Sequence, residues 1–320
     1  MKESQPPLSA MLPATRYLEV ESTRVGARFA VWVTLPPRYE QERDASYPVV
    51  YLPDGNLSAP LTVPAMALLR DDPINPIRGF IQVCVGYTDE DAKRHLAVRA
   101  RDLLPPGEPL PPGVDETAMQ GLVQAGFLDQ AAADLYLHNL RHPAADRFLE
   151  FLSGELHTQI AGRYRVDDEA TGLFGYSYGG LFATYVALRR TRFRRIGAGS
   201  PGIIPRVSKV FELYQAELAA GADHAGRMLH MTVCEREITV PSIYQPMVGA
   251  GAAEFMALAG QQPIKGLAFS ARIVGHESHA SGFAPSWFSY LRTCYPAQAP
   301  TELLAVRPAQ SAAASSGERG

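Results

Sequence analysis

Gly172-Leu-Phe-Gly-Tyr-Ser-Tyr-Gly-Gly180, running on into Leu181-Phe-Ala-Thr-Tyr-Val-Ala-Leu188, reads as a buried strand closed by Phe174, a tight turn, and a helix after Gly179. The pattern Gly175-x-Ser177-x-Gly179 between strand and helix forces a serine into a strained, exposed conformation, with its hydroxyl above the sheet. Glycines stand two residues to either side because so tight a turn leaves little room for side chains, and Gly180 adds a third. The helix N-terminus beneath offers free backbone N–H groups to a developing negative charge. The competing reading is a Gly-rich packing turn. A phosphate-binding loop would need G-x-x-x-x-G-K-[ST], which is missing.

Upstream, Phe148-Leu-x-Phe-Leu with Leu156 and Ile160 has helical spacing, and downstream Ile196–Ser200 is a small apolar strand ending at Pro201-Gly202. The serine therefore sits between β-α-β crossovers. Farther out, Arg16–Glu21 and Ala27–Leu35 alternate apolar and polar residues around Gly26, as an antiparallel hairpin does. Tyr47–Pro53 and Gly79–Gly86 are continuous apolar runs of interior-strand type. Asp54-Gly55-Asn56 reads as a turn and Val63–Arg70 as a short helix. On the C-terminal side come a helix over Val207–Ala219, a strand over Met228–Cys234, a helix over Met247–Leu258, a strand over Leu267–Val274 and a closing helix over Phe283–Leu291. The expected fold class is α/β: a mostly parallel, doubly wound sheet with an N-terminal antiparallel hairpin, in three α/β/α layers.

Residues 15–296 read as one domain, 1–14 as an N-terminal arm, and 297–320, rich in Ala, Ser, Pro and Gln, as a tail without fixed structure. Residues 92–143 leave the sheet on a long excursion containing Pro105-Pro-Gly-Glu-Pro-Leu-Pro-Pro-Gly113, which is neither helix nor central strand. Such excursions serve as lids or substrate walls, or are insertions without a role.

With 320 residues, 46% of them hydrophobic, the chain can bury a large core. A formal net charge of -3 gives no electrostatic reason to expect nucleic acid or an anionic membrane as a partner. The one basic cluster, Arg189, Arg190, Arg192, Arg194 and Arg195, reads as a solvated helix C-terminus. Cys84, Cys234 and Cys294, odd in number, read as buried free thiols. With no secretory leader or spanning segment visible, a cytoplasmic location is expected. Oligomeric state stays open, a homo-oligomer included.

A serine hydroxyl is a poor nucleophile until a base takes its proton, and the base needs a partner that holds its tautomer. On this type of sheet the chain order is serine, acid, histidine, on loops at the C-terminal ends of strands. His276 and His279 follow the last strand. His279, beside Ser278, Ala280 and Ser281 and just ahead of the closing helix, is the preferred base; His276 reads as a solvent-facing loop residue. Glu237, two residues into the loop after Cys234, can turn back toward the imidazole and is the favoured acid, with Glu235 the alternative. Glu277 lies too near the histidine in sequence, and Asp223 precedes the strand. Backbone N–H groups of Tyr178 and of Asn56 or its neighbour are the candidate oxyanion donors. Asp54 makes the turn. No dinucleotide fingerprint is present and no cofactor is expected. Neither is a metal: His276 and His279 are three apart rather than four, and His138 and His142 lack a carboxylate at motif spacing.

Several blocks occur in an order with a known counterpart: Tyr47-Pro-Val-Val-Tyr-Leu-Pro-Asp-Gly55, Arg101-Asp102 before Leu-Leu-Pro-Pro106, Phe148-Leu-Glu-Phe-Leu-Ser-Gly-Glu-Leu156, Leu173-Phe-Gly-Tyr-Ser-Tyr-Gly-Gly-Leu-Phe182, Ser200-Pro201 and Glu277-Ser-His279. Together, over residues 15–293, they resemble the putative-esterase family of α/β hydrolases, which includes siderophore esterases, feruloyl esterases and S-formylglutathione hydrolase. The resemblance implies an α/β-hydrolase fold, Ser177 as nucleophile and His279 as base. The family's acid often follows Gly-x-x; Cys234 replaces that glycine here, which fits Glu237 and leaves Glu235 in play. The implied activity is cofactor-free hydrolysis of a small-molecule carboxylic ester through an acyl-enzyme. An acyltransferase with the same triad, and a non-catalytic binding protein that keeps the fold, are the rivals. The Pro-rich excursion departs from shorter family members, so the resemblance does not carry the substrate.

Overall fold

The computed structural model describes residues 8–297; the rest of the N-terminal arm and the expected tail from 298 onward lie outside the described residues. One eight-stranded sheet organises the chain: β1 (Thr15–Ser22), β2 (Ala27–Thr34), β3 (Val49–Leu52), β4 (Ile81–Tyr87), β5 (Gly172–Tyr176), β6 (Arg195–Gly199), β7 (Arg227–Cys234) and β8 (Leu267–Val274), in the spatial order β1-β2-β4-β3-β5-β6-β7-β8. β1 and β2 pair antiparallel through their short connection, and β2 meets β4 antiparallel. All later neighbours are parallel, because helical crossovers join them.

Both faces of the sheet are covered, so the inner strands are apolar without alternation. β3 shows the consequence: Val49 and Tyr51 enter one core, Val50 and Leu52 the other. The first core takes Phe148, Phe151 and Phe182, and the second takes Trp287 and Tyr290 from the closing helix Phe283–Cys294. All five are under 2% exposed, each contributing roughly 1.5–3 kcal/mol by burial.

The structure tightens the central turn: β5 runs through Tyr176 and the helix Tyr178–Ala187 begins at once, leaving Ser177 alone as the turn. Asp54-Gly55-Asn56 is not a free turn but the entry to a helix, Gly55–Thr62. Gly, Asn and Pro60 are poor helix formers, which hid it. Tertiary contacts hold it instead, with Asn56 bridging to Tyr87 through both side-chain atoms. Residues after Cys234 form a short helix, Glu235–Thr239, where a loop was expected. The basic cluster lies beyond the helix end, in the connection to β6 and at that strand's first residue, Arg195: Arg192 pairs with Asp168 and Arg194 with Glu169, each at 3.3 Å. All three cysteines are buried and free.

The excursion carries the helices His95–Leu103, Glu116–Gln124 and Gln130–Arg141, with the Pro-rich run between the first two. The first packs against the helix that follows Ser177 and the third packs on the first, where Asn139 Nδ2 donates to the Ala97 carbonyl at 2.9 Å. Among the described residues no helix is long and apolar enough to cross a membrane.

Candidate active site

Ser177 has φ 61° and ψ -119°, a conformation that L-residues adopt only when their surroundings hold them there. Three backbone hydrogen bonds of 3.0 Å do so: its N–H donates to the Gly199 carbonyl, and its carbonyl accepts from Leu181 and Gly202. Its hydroxyl does not cap the helix behind it and is left for other chemistry. The glycines are less symmetric than the motif suggests. A Cβ on Gly175 would collide with the Gly179 carbonyl, and one on Gly180 would stand 2.5 Å from Gly199 O; at Gly179 the nearest atoms are 3.4 Å away.

His279 lies in the loop between β8 and the closing helix, its side chain 11% exposed. Its Nδ1 donates to Glu237 Oε1 at 2.6 Å. Glu237 Oε2 accepts from the Cys234 N–H at 2.7 Å and from Ser200 Oγ at 2.9 Å. A carboxylate that is 1% exposed thus meets three donors, which offset its lost hydration. Glu235 points elsewhere: its Oε2 accepts the His276 N–H at 2.6 Å, and the His276 side chain is fully exposed.

Two tyrosines hold the imidazole further. Tyr244 stacks on it at 4.1 Å and 16° between planes, and Tyr176 donates its hydroxyl to the His279 carbonyl at 2.8 Å. Burial pushes the Tyr176 phenol well above its ordinary pKa, so it stays a donor. Ser200, itself at φ 38°, and both tyrosines were missed by sequence reasoning. The one signal available was Ser200-Pro201 at a strand end.

Ser177, Tyr178, Asn56 and His279 all line one cavity of about 780 Å³. Tyr178 and Asn56 are the first and second residues of their helices, so neither N–H has a carbonyl one turn earlier to bond. Asp54, at φ 56°, turns the chain into the second helix, and Arg99 grips it by Nε and Nη2, both at 2.8 Å. The Arg99 guanidinium also lies 5.1 Å from the Tyr178 ring centre, and Tyr178 and Tyr136 share a hydroxyl bond of 2.9 Å. His95, Leu96, Leu104, Glu108, Pro109 and Pro111 bring the excursion to this cavity. Among the described residues no three His, Cys, Asp or Glu side chains converge as metal ligands.

A family model described as putative esterase matches residues 22–241, which include Asn56, Ser177 and Glu237 and end before His279. Ferri-bacillibactin esterase BesA of Bacillus subtilis is 26% identical over 194 residues, 60% of this chain and 60% of that protein. The siderophore triacetylfusarinine C esterase of Aspergillus fumigatus is 25% identical over 201 residues, 62% of this chain and 59% of that one. The match therefore spans about three fifths of the length of these curated relatives. Siderophore hydrolase EstB from Aspergillus nidulans superposes with a TM-score of 0.70 at 20% identity, covering 92% of this chain and 98% of that one.

Proposed function

Because this chain belongs to the putative-esterase family, we propose that it hydrolyses small-molecule carboxylic esters through an acyl-enzyme on Ser177. The observation that carries the reading is a strained serine sharing a cavity with a histidine whose far nitrogen is held by a buried, fully bonded glutamate.

Ser177 Oγ attacks the ester carbonyl carbon while His279 Nε2 takes its proton. Glu237 holds the Nδ1–H tautomer and stabilises the imidazolium. The new oxyanion meets the N–H groups of Tyr178 and Asn56, where preorganised donors act with little reorganisation. The bond to the leaving alcohol breaks as His279 returns the proton to it. Water then attacks the acyl-enzyme, His279 again accepting a proton, and the acid leaves with Ser177 restored. The Tyr244 ring keeps the imidazole in plane and presents a π face to the imidazolium. The excursion over residues 92–143 serves as a substrate wall. Esters of iron-chelating compounds, named for two relatives, are the first natural class to assay.

The test is turnover of a short-chain p-nitrophenyl ester, with intact mass after a fluorophosphonate probe. Ser177→Ala and His279→Ala should each lower kcat by at least about 10³-fold, and Ser177→Ala should lose the covalent adduct. A folded wild type with neither turnover nor adduct would remove the reading and leave a binding protein.

A further inference from the structure

The mouth of the cavity beside Ser177 is apolar and stands in water: Leu57, Leu61, Ile243 and Tyr244 line it and are 59%, 48%, 69% and 38% exposed. Large apolar side chains gathered at one opening mark a surface that a ligand covers. The charged groups inside do not offset that character. Asp54 and Arg99 cancel in a bidentate pair, their side chains 17% and 13% exposed.

Glu108 adds no cation either. One of its oxygens accepts the Lys209 N–H at 2.9 Å, and the other, Oε1, is buried without a partner. Burial raises its pKa to about 7, so it is either neutral or negative near neutrality. Among the described residues no lysine lines the cavity, and the arginines of the basic cluster are absent from its lining: Arg190 and Arg192 line a separate depression with Arg227.

Resting on the esterase reading, we propose that this cavity selects electrically neutral, largely apolar or aromatic esters and discriminates against anionic ones. An anion entering it gives up hydration, finds the one arginine already paired, and meets the buried Glu108 carboxyl.

The experiment compares p-nitrophenyl phenylacetate with p-nitrophenyl 4-carboxyphenylacetate, matched in ring and leaving group, at pH 7.5 and low salt. The neutral ester should have the higher kcat/KM by at least about tenfold, equivalent to about 1.4 kcal/mol. Adding cations at the rim, in the double variant Leu57→Lys, Ile243→Lys, should lower that ratio several-fold. Equal or better turnover of the anionic ester, with fluorophosphonate labelling of Ser177 intact, overturns the selectivity and leaves the esterase reading standing. No turnover of either ester and no labelling removes both.

Discussion

Glu235 and Glu237 show how strongly a single residue's surroundings determine its role. Both are carboxylates just past β7, yet one lies in solvent against a backbone N–H while the other is buried against three donors. Two positions apart on a helix, they project about 200° apart, so only one can face His279. Glu237→Gln should lower kcat by on the order of 10³–10⁴-fold, because an amide there can donate to the histidine and favour the wrong tautomer. Glu235→Gln should stay within about twofold, as expected for a surface change. Steady-state kinetics on thermally intact variants decide this, and equal losses in both would remove Glu237 from the orienting role. Ser200, which bonds the second Glu237 oxygen, supports the same carboxylate from behind.

At the scale of the element, the helix that follows Ser177 shows which of its two adjacent glycines, Gly179 or Gly180, the packing demands. Gly180 lies in the first turn of the helix, where it crosses the end of β6: an added Cβ meets Gly199 O at 2.5 Å and Pro201 Cα at 2.9 Å, both backbone atoms. Backbone cannot swing aside as a flexible side chain can. Gly180→Ala should therefore destabilise the fold by about 1–3 kcal/mol, the usual cost of overpacking. Gly179→Ala, with 3.4 Å of space and a helical residue replacing glycine, should cost less than about 1 kcal/mol. Urea unfolding midpoints of the two variants test the order, and the reverse order would sink this account of the turn.

Across the whole molecule, Glu108 ties the Pro-rich excursion to the helix Lys209–Ala219, accepting the N–H of its first residue from about a hundred residues away. Its pKa, raised by burial from 4.5 to about 7, makes the native state bind a proton more tightly than the unfolded chain in that range. The stabilisation from this proton is full below about pH 4.5 and is lost as pH rises through 7. Between pH 5 and pH 8 the wild type should lose about 2–3 kcal/mol from this group, a loss absent in Glu108→Gln. Denaturant unfolding of both proteins at the two pH values measures it. A wild-type-to-variant difference that does not change with pH would rule the linkage out.

The sequence by itself determined the order of the eight strands, the parallel character of most of the sheet, and a short set of candidates: Ser177 by its motif, His279 by its place after the last strand, Asn56 by its strand end. These follow from periodicity, turn chemistry and chain order, all properties of near neighbours along the chain. Only tertiary structure decided the rest. Placing β3 between β4 and β5 sets Asn56 in the same cavity as Ser177. Packing set Glu237 rather than Glu235 against His279, made Gly175 and Gly180 the crowded glycines, laid Tyr244 on His279 and drew the walls of the cavity from segments near residues 57, 99, 136 and 244. Each of those outcomes is a contact between residues distant in sequence, and local propensity carries no information about which distant surfaces will meet.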